Sequence, residues 1–433
     1  MNRRILALAI PNIISNLSVP LLGVVDTALV GHLEEVYYLG ALAVGGMIFN
    51  FLFWGFGFLR MGTTGLTAQS FGRKDRTETF MILVRVQVVA FSIGIALLIL
   101  QHPIILAVFW FVESSSEVEQ YSRVYYSIRI YTAPAVLALY GLNGWFLGMQ
   151  NAKYPMAVTI FLNLLNIVCN LIFIYGLGMH VDGVAWGTVI ATYAALLLAL
   201  MLFFISYRSY LADFVKSEFL NLAELTRFFT VNRDIFIRTL CLIFTFSFFT
   251  AKSATYGDLI LAANTILLQL WMVASYGIDG FAYSAESLVG RFKGGGDQQK
   301  LREAVRYTMG WGLALGLLGS VVYGLFDGPI LNIFTDNLEV IDLAGSMMFW
   351  TVMAPAVASI CYIWDGVYIG ATATVPMRNT MLAATGLFFL PAYFLGSYFY
   401  GVHGLWLAMI LFMLVRGVAL TLAAPGYIYE KRS

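Results

Sequence analysis

Four carboxylates of this chain fall inside apolar runs: Asp26, Asp279, Glu286 and Asp365. A charged group at membrane depth costs at least about 2.5–3.5 kcal/mol on insertion scales, so an acid there must be paired, protonated or facing water. Asp26 stands in VPLLGVVDTALVGHL, one turn after Gly23 and six residues after Pro20, whose missing N–H bends a helix. A later run carries Asn163, Asn166 and Asn170, and the four-residue step from Asn166 to Asn170 puts both amides on one helix face. Thr188, in the run after that, falls at a similar depth. One carboxylate, two amides and a hydroxyl that meet in the outer half of the amino-terminal bundle could hold H⁺ or Na⁺, because burial disfavours a bare carboxylate and a bound cation restores it. The alternative is interhelical hydrogen bonding that only joins helices, at about 0.6 kcal/mol per bond. That alternative suits Asn163. Joining helices does not require an acid, so Asp26 is read as functional.

The other three acids lie in the second half of the chain. Asp365 either pairs with Arg378 or another loop base, or binds a ligand. Asp279 sits between Gly277 and Gly280, and Glu286 lies further along the same run. Arg60, Arg85, Arg129, Arg238 and Arg416 are the embedded bases, and some of them must neutralise these acids. Aromatic residues make up 15% of the chain. They could stack on flat or cationic molecules, but an interfacial aromatic belt explains most of them.

Elements that place such groups must themselves be apolar. The 433 residues are 60% hydrophobic and 11% charged, against roughly 25% charged in soluble domains, so lipid is the solvent. The net charge of +1 gives no reason to expect nucleic acid as a partner. Cys169, Cys241 and Cys361 lie in apolar runs and supply no disulfide framework, and His32, His102, His180 and His403 form no paired metal motif. Arg3 and Arg4 before an apolar run resemble a signal peptide, but the run continues through Val30 and reads as a retained first span. Runs of spanning length fall near 5–30, 38–70, 80–110, 121–149, 156–177, 183–207, 228–252, 258–290, 304–326, 342–371, 379–400 and 404–429. Backbone groups in lipid must pair within their own segment, so these are helices.

The chain also repeats itself. Asn143-Gly144 with Gly148 returns as Asp365-Gly366 with Gly370, 222 positions later; Pro155 returns as Pro376, and Val181-Asp182-Gly183 as Val402-His403-Gly404, each 221 later. Asn2-Arg3-Arg4-Ile5 echoes in Asn232-Arg233-Asp234-Ile235. Such a period means two homologous bundles with a cleft between them. The expected fold is an all-α integral membrane protein of twelve transmembrane helices, in two six-helix lobes related by a pseudo-two-fold axis along the membrane normal. The lobes are placed at 1–206 and 228–433, with 207–227 as the linker. Six spans per lobe is even, so both lobes share one orientation.

Bases gather at the amino terminus and in alternate loops (Arg3, Arg4, Arg73, Lys74, Lys153, Lys216, Lys300), with Lys431 and Arg432 in the tail. The intervening loops are acidic (Glu34, Glu35, Glu113, Glu117, Asp182, Asp336, Glu339). The positive-inside rule places both termini in the cytoplasm. Gly294-Gly295-Gly296 follows no strand and precedes no Lys-Ser/Thr pair, so a nucleotide site is not expected there.

The segments VPLLGVVDTALVGHL, LRMGTTGLTAQSFG from Leu59, VNRDI at Val231, YGIDGFAYSAESLVG from Tyr276 and CYIWDGVYIGAT from Cys361, with Met377-Arg378-Asn379, resemble the multidrug and toxic compound extrusion (MATE) family in its DinF-like branch. The resemblance covers nearly the whole chain. It implies two lobes that open alternately, and a monomeric transporter in the inner membrane of a prokaryote. It also implies export of small organic, cationic or polyaromatic compounds in exchange for H⁺ or Na⁺, with no cofactor and no enzymatic activity. A family cation site then falls on Asp26, Asn143, Asn166, Asn170 and Thr188. The chain departs from the family pattern at Asn170, where an acid is expected, so Asp26 has no second carboxylate with which to share a proton. Asp365 matches a tenth-helix acid of the NorM-like branch, and Asp279 and Asp365 are the candidate substrate or ion groups of the carboxy-terminal lobe. A flippase of lipid-linked precursors, in the same wider superfamily, would share the lobes but have a more basic cavity. An intramembrane enzyme would need a nucleophile–base or metal pair, and no such pair is visible.

Overall fold

The computed structural model describes residues 1–31, 35–112, 114–219 and 221–429. His32, Glu34, Glu113, Lys431 and Arg432, used in the histidine and charge readings above, lie outside the described residues. Twelve helices are long and apolar enough to cross a membrane: α1 (Asn2–Gly31), α2 (Tyr37–Arg73), α3 (Arg76–Ile99), α4 (Ser116–Gly148), α5 (Lys153–Gly176), α6 (Val181–Asp213), α7 (Leu222–Ala254), α8 (Asp258–Gly294), α9 (Gln298–Leu325), α10 (Leu338–Gly370), α11 (Thr374–Tyr400) and α12 (Val402–Tyr427). No strand occurs among the described residues. The outward faces of the twelve are apolar: Leu422 is 77% and Leu387 71% exposed, as suits side chains solvated by lipid.

Sequence chemistry sets the helix ends. Asp75 and Asp297 cap α3 and α9, accepting from the backbone N–H of Glu78 (2.9 Å) and Lys300 (3.0 Å), and Asn221 caps α7. The third run is shorter than expected. Its 80–110 stretch is α3, ending at Ile99, followed by a separate helix Gln101–Phe111. Pro103 lies in the first turn of that helix, where a missing N–H costs nothing. Beyond α6, helix Lys216–Phe219 lies in the inter-lobe connection. The connection is tied to α3, because Arg85 pairs with Glu78 at 2.8 Å and donates to the Glu218 carbonyl at 2.6 Å.

The repeat is visible in atomic contacts. A Cβ on Gly144 or Gly148 would strike α2 at Arg60 or at Thr64 and Thr67; a Cβ on the repeat mates Gly366 and Gly370 would strike α8 at Ala282 and Glu286. Glycines four apart let α4 lie on α2, and α10 on α8, at backbone distance. The same correspondence crosses between lobes. Ser287 donates to the Leu147 carbonyl at 2.6 Å. Its mate Gly65 packs on the carbonyl of Ile369, the mate of Leu147. Gly72 packs on the Arg291 carbonyl and Gly294 on the Gln69 carbonyl, again as mates. Ala68 and Gly290 are mates that touch each other, so the pseudo-two-fold axis passes between them. These contacts seal the lobes at the end that carries the amino terminus. The hydrogen bonds and ion pairs joining the lobes run from there to the level of Asn16, which donates to the Tyr276 carbonyl at 3.1 Å. Beyond that level α1 is bare on several sides, with Val19, Leu21 and Val24 all exposed.

Candidate ion-coupling site

Three helices build a polar cluster in the amino-terminal lobe, towards the end opposite the seal. From α5, the Asn170 amide nitrogen donates to Asp26 Oδ1 on α1 at 2.8 Å and to Asn166 Oδ1 at 2.9 Å. Asn166 in turn donates to Thr188 Oγ1 on α6 at 3.0 Å, and Thr188 donates to the Val184 carbonyl one turn back at 2.9 Å. The chain of bonds thus runs from one turn of α6 to the Asp26 carboxylate. Asn166 and Asn170 are buried, and Asp26 is half-buried. Asp26 Oδ1 accepts the Asn170 N–H, a bond open to both the carboxylate and the protonated acid. Asn170 Oδ1, set against Gly187, is buried and accepts no hydrogen bond from the described residues. An orphaned acceptor next to a carboxyl group is the set of oxygens that a proton or a hard cation would complete.

Arg129, on α4, acts electrostatically on Asp26 without forming an ion pair with it. Its guanidinium donates to Tyr125 Oη at 2.5 Å and lies over the Phe49 ring at 4.8 Å. Arg129 was visible in the sequence only as an embedded base. Asn163 donates to Ser18 Oγ at 2.9 Å, a bond between α5 and α1 of the joining kind. Asn143 is not brought to the cluster. It lies fourteen residues beyond Arg129 on α4, roughly 21 Å along the helix, and its buried Oδ1 has no partner among the described residues.

The carboxy-terminal lobe holds a second polar centre. Asp365 Oδ2 accepts from Arg238 on α7 and from Arg416 on α12, the latter at 2.6 Å. Its expected alternative partner, Arg378, is instead bound to the fully buried Asp234 at 2.8 Å. Arg238 and Arg416 lie at the depth of Asp365, whereas Arg378 belongs to the following helix at the sealed end. Between the lobes, Arg60 of α2 grips Glu286 of α8 through both nitrogens, at 3.1 and 3.4 Å, and lies over the Tyr283 ring at 4.0 Å. Arg60 corresponds by the repeat to Ala282, so this pair breaks the internal symmetry and no repeat signal foretells it. Asp279 alone among the four embedded acids has no hydrogen-bond or ion-pair partner among the described residues. Arg238 and Arg60 are the guanidiniums acting on it from α7 and α2. No group of three metal-ligating side chains occurs among the described residues, and the three cysteines are free.

This geometry can be set beside known proteins. The MatE family model matches residues 11–172 and 235–394, one segment in each half. DNA damage-inducible protein F of Escherichia coli (strain K12) is 38% identical over 415 residues, spanning 95% of this chain and 90% of that protein. Among solved structures, a MOP superfamily transporter from Pyrococcus furiosus Vc1 superposes with a TM-score of 0.88 at 19% identity, covering 98% of this chain and 95% of its own. A multidrug resistance MATE family transporter in an outward-facing conformation gives 0.84 at 20% identity, with 98% and 95% covered. At such identity these two establish the fold.

Proposed function

The chain belongs to the MatE family of multidrug and toxic compound extrusion transporters, and from that membership we propose that it expels small organic molecules in exchange for H⁺ or Na⁺, with Asp26 as the residue on which the ion acts. It is a membrane transporter of the DinF-like kind, not an enzyme. In this reading residues 1–206 and 228–433 are the two moving lobes, and 207–227 is their joint. Both termini face the cytoplasm of a prokaryotic cell, the unit is a monomer in its lipid, and the sealed end is the inner end.

The observation that carries the assignment is the bond from Asn170 to Asp26, next to the unsatisfied Asn170 Oδ1. A proton arriving from outside turns Asp26 into a donor. Rotation of the Asn170 amide then offers Oδ1 to that donor, and the chain of bonds through Asn166 to Thr188 is redrawn. Na⁺ would act at the same oxygens. Either ion can drive transport only by binding the two open states with different affinity. In the carboxy-terminal lobe, Asp279 is the counter-ion offered to a cationic substrate, and Asp365 holds Arg238 and Arg416 in place. The flippase alternative needs a basic cavity. Here the three guanidiniums of Arg60, Arg238 and Arg416 are balanced in number by the carboxyls of Glu286, Asp365 and Asp279, of which Glu286 and Asp365 take the ion pairs; this balance favours organic efflux.

The test is efflux of a fluorescent organic cation in proteoliposomes under separately imposed H⁺ and Na⁺ gradients. One of the two gradients should drive the wild type and fail with Asp26→Asn at matched reconstitution. Gradient-driven efflux by Asp26→Asn at the wild-type rate would remove the assignment.

A further inference from the structure

At the sealed end, beside the axis, lies a hollow of about 280 Å³. Its walls come from three parts of the chain. The turn between α2 and α3 gives Gly72, Lys74 and Asp75, the end of α6 gives Tyr210, and the end of α8 gives Arg291. Three cations and one acid line it. Of the cations only Arg76 is ion-paired among the described residues, to Asp213 at the end of α6 at 2.9 Å, and it lies over the Tyr210 ring at 4.4 Å. Asp75 spends Oδ1 on the α3 cap. Lys74 Nζ, the Tyr210 hydroxyl and the Arg291 guanidinium have no hydrogen-bond or ion-pair partner among the described residues. Arg291 only stacks over Phe71 at 5.3 Å, and the charged group that acts on it is another cation, Arg4.

The repeat supplies an internal control. The mate of Arg291 is Gln69, and its amide is fully engaged: it donates to the Gly370 carbonyl at 3.1 Å and to Thr372 at 3.0 Å, and accepts from Arg227 at 2.8 Å. The mate of Phe71 is Lys293, which donates to the Tyr427 carbonyl at 2.8 Å. On that side the chain's own atoms occupy the donors. The open hollow is therefore not a by-product of the duplicated fold.

We propose that this hollow binds the phosphate diester headgroup of an anionic phospholipid and thereby holds this end of the transporter shut. Free lysine, arginine and phenol donors around a small cleft are the chemistry that recognises phosphate, and basic pockets among spanning helices at the cytoplasmic face suit anionic headgroups. Gly72 and Gly295 stand against each other across the lobe boundary where the wall forms. The hollow thus exists as a whole only while the seal is closed, so a ligand in it favours the sealed state.

The experiment uses the full chain in nanodiscs, spin-labelled at Lys153→Cys and Gln299→Cys on the two lobes of the sealed end. Phosphatidylglycerol added to phosphatidylcholine should raise the short-distance population several-fold. Lys74→Gln is exposed and cannot unfold the bundle; it should lose part of that gain, and Lys74→Gln with Arg291→Gln should lose all of it. Both variants should match wild type in phosphatidylcholine alone. Arg73→Gln, outside the hollow, should keep the full gain. An undiminished lipid effect in the double variant, or no effect in wild type, overturns the proposal. Reproduction of the effect by soluble glycerol 3-phosphate would make the ligand a free phosphate ester and overturn the lipid assignment.

Discussion

In the proposed site Asp26 meets a single amide, that of Asn170, whose nitrogen donates to it and whose one oxygen has no partner among the described residues. Asp26→Asn should fold and reach the membrane at normal levels, since Asn keeps an acceptor for Asn170, yet it should transport only down the substrate gradient. Measuring uphill efflux against downhill exchange in the same vesicles separates these outcomes. Asn170→Asp restores a second carboxylate next to the first, and two acids that close share protons in coupled steps. Its efflux should therefore reach half-maximum at a shifted pH, read from the pH profile of transport. The arginine-bound acid behaves differently. Asp365→Asn leaves Arg238 and Arg416 buried without their counter-charge, a change of the kind that costs about 3–5 kcal/mol, so a loss of thermal stability should precede any effect on transport. Asp279→Asn removes no partner, and should cut affinity for cationic substrates while leaving thermal stability near wild type. The amino-terminal cluster was legible because a four-residue spacing and a depth count suffice to gather Asp26, Asn166, Asn170 and Thr188. The partners of the arginines were not, because hydropathy fixes the depth of a residue and leaves the rotation of its helix open. Asn143 is a different case: the family resemblance put it with Asp26, whereas it stands about four turns along α4 from Arg129.

At the level of helices, glycine position decides which elements can touch. Gly144 and Gly148 on one side, and Gly366 and Gly370 on the other, carry equivalent backbone contacts. Valine at Gly144 or at Gly366 should destabilise to a similar degree, by about 1–3 kcal/mol as overpacking does, measured as equal falls in unfolding temperature in detergent. A large inequality would mean that the two contacts are not equivalent. The twelve spans and the repeat could be read from the sequence because an apolar run and a fixed offset need no knowledge of tertiary contacts. The division of the third run into α3 and Gln101–Phe111 could not, since both pieces are apolar and only Pro103 marks the break. The Arg60–Glu286 pair is a second feature that the repeat conceals, because it has no mate. Glu286→Gln replaces a two-point charged grip between α2 and α8 with at best neutral hydrogen bonds. It should raise the fraction of molecules labelled by an inner-side thiol reagent at a cysteine placed on Tyr283. Unchanged labelling would show that the pair does not hold the lobes together.

Across the whole molecule, orientation is the property most open to direct measurement. Cysteines at Lys74, Lys216 and Lys300 should be shielded from an impermeant thiol reagent outside intact cells, while those at Glu117 and Asp336 should react; labelling of Lys216→Cys from outside would invert the topology. The seal itself has a further consequence. Gly72 against the Arg291 carbonyl, Gly294 against the Gln69 carbonyl, and Ala68 against Gly290 bring main chain onto main chain with almost no side chain between. A water molecule needs its own volume to settle in a protein, and at these three points of contact, behind the hollow, main chain leaves it none. With no file of water across the junction, protons have no wire to follow. For the proposed antiporter the glycine seam is therefore expected to act as an electrical insulator, keeping the ion gradient from draining through the protein while the far end stands open.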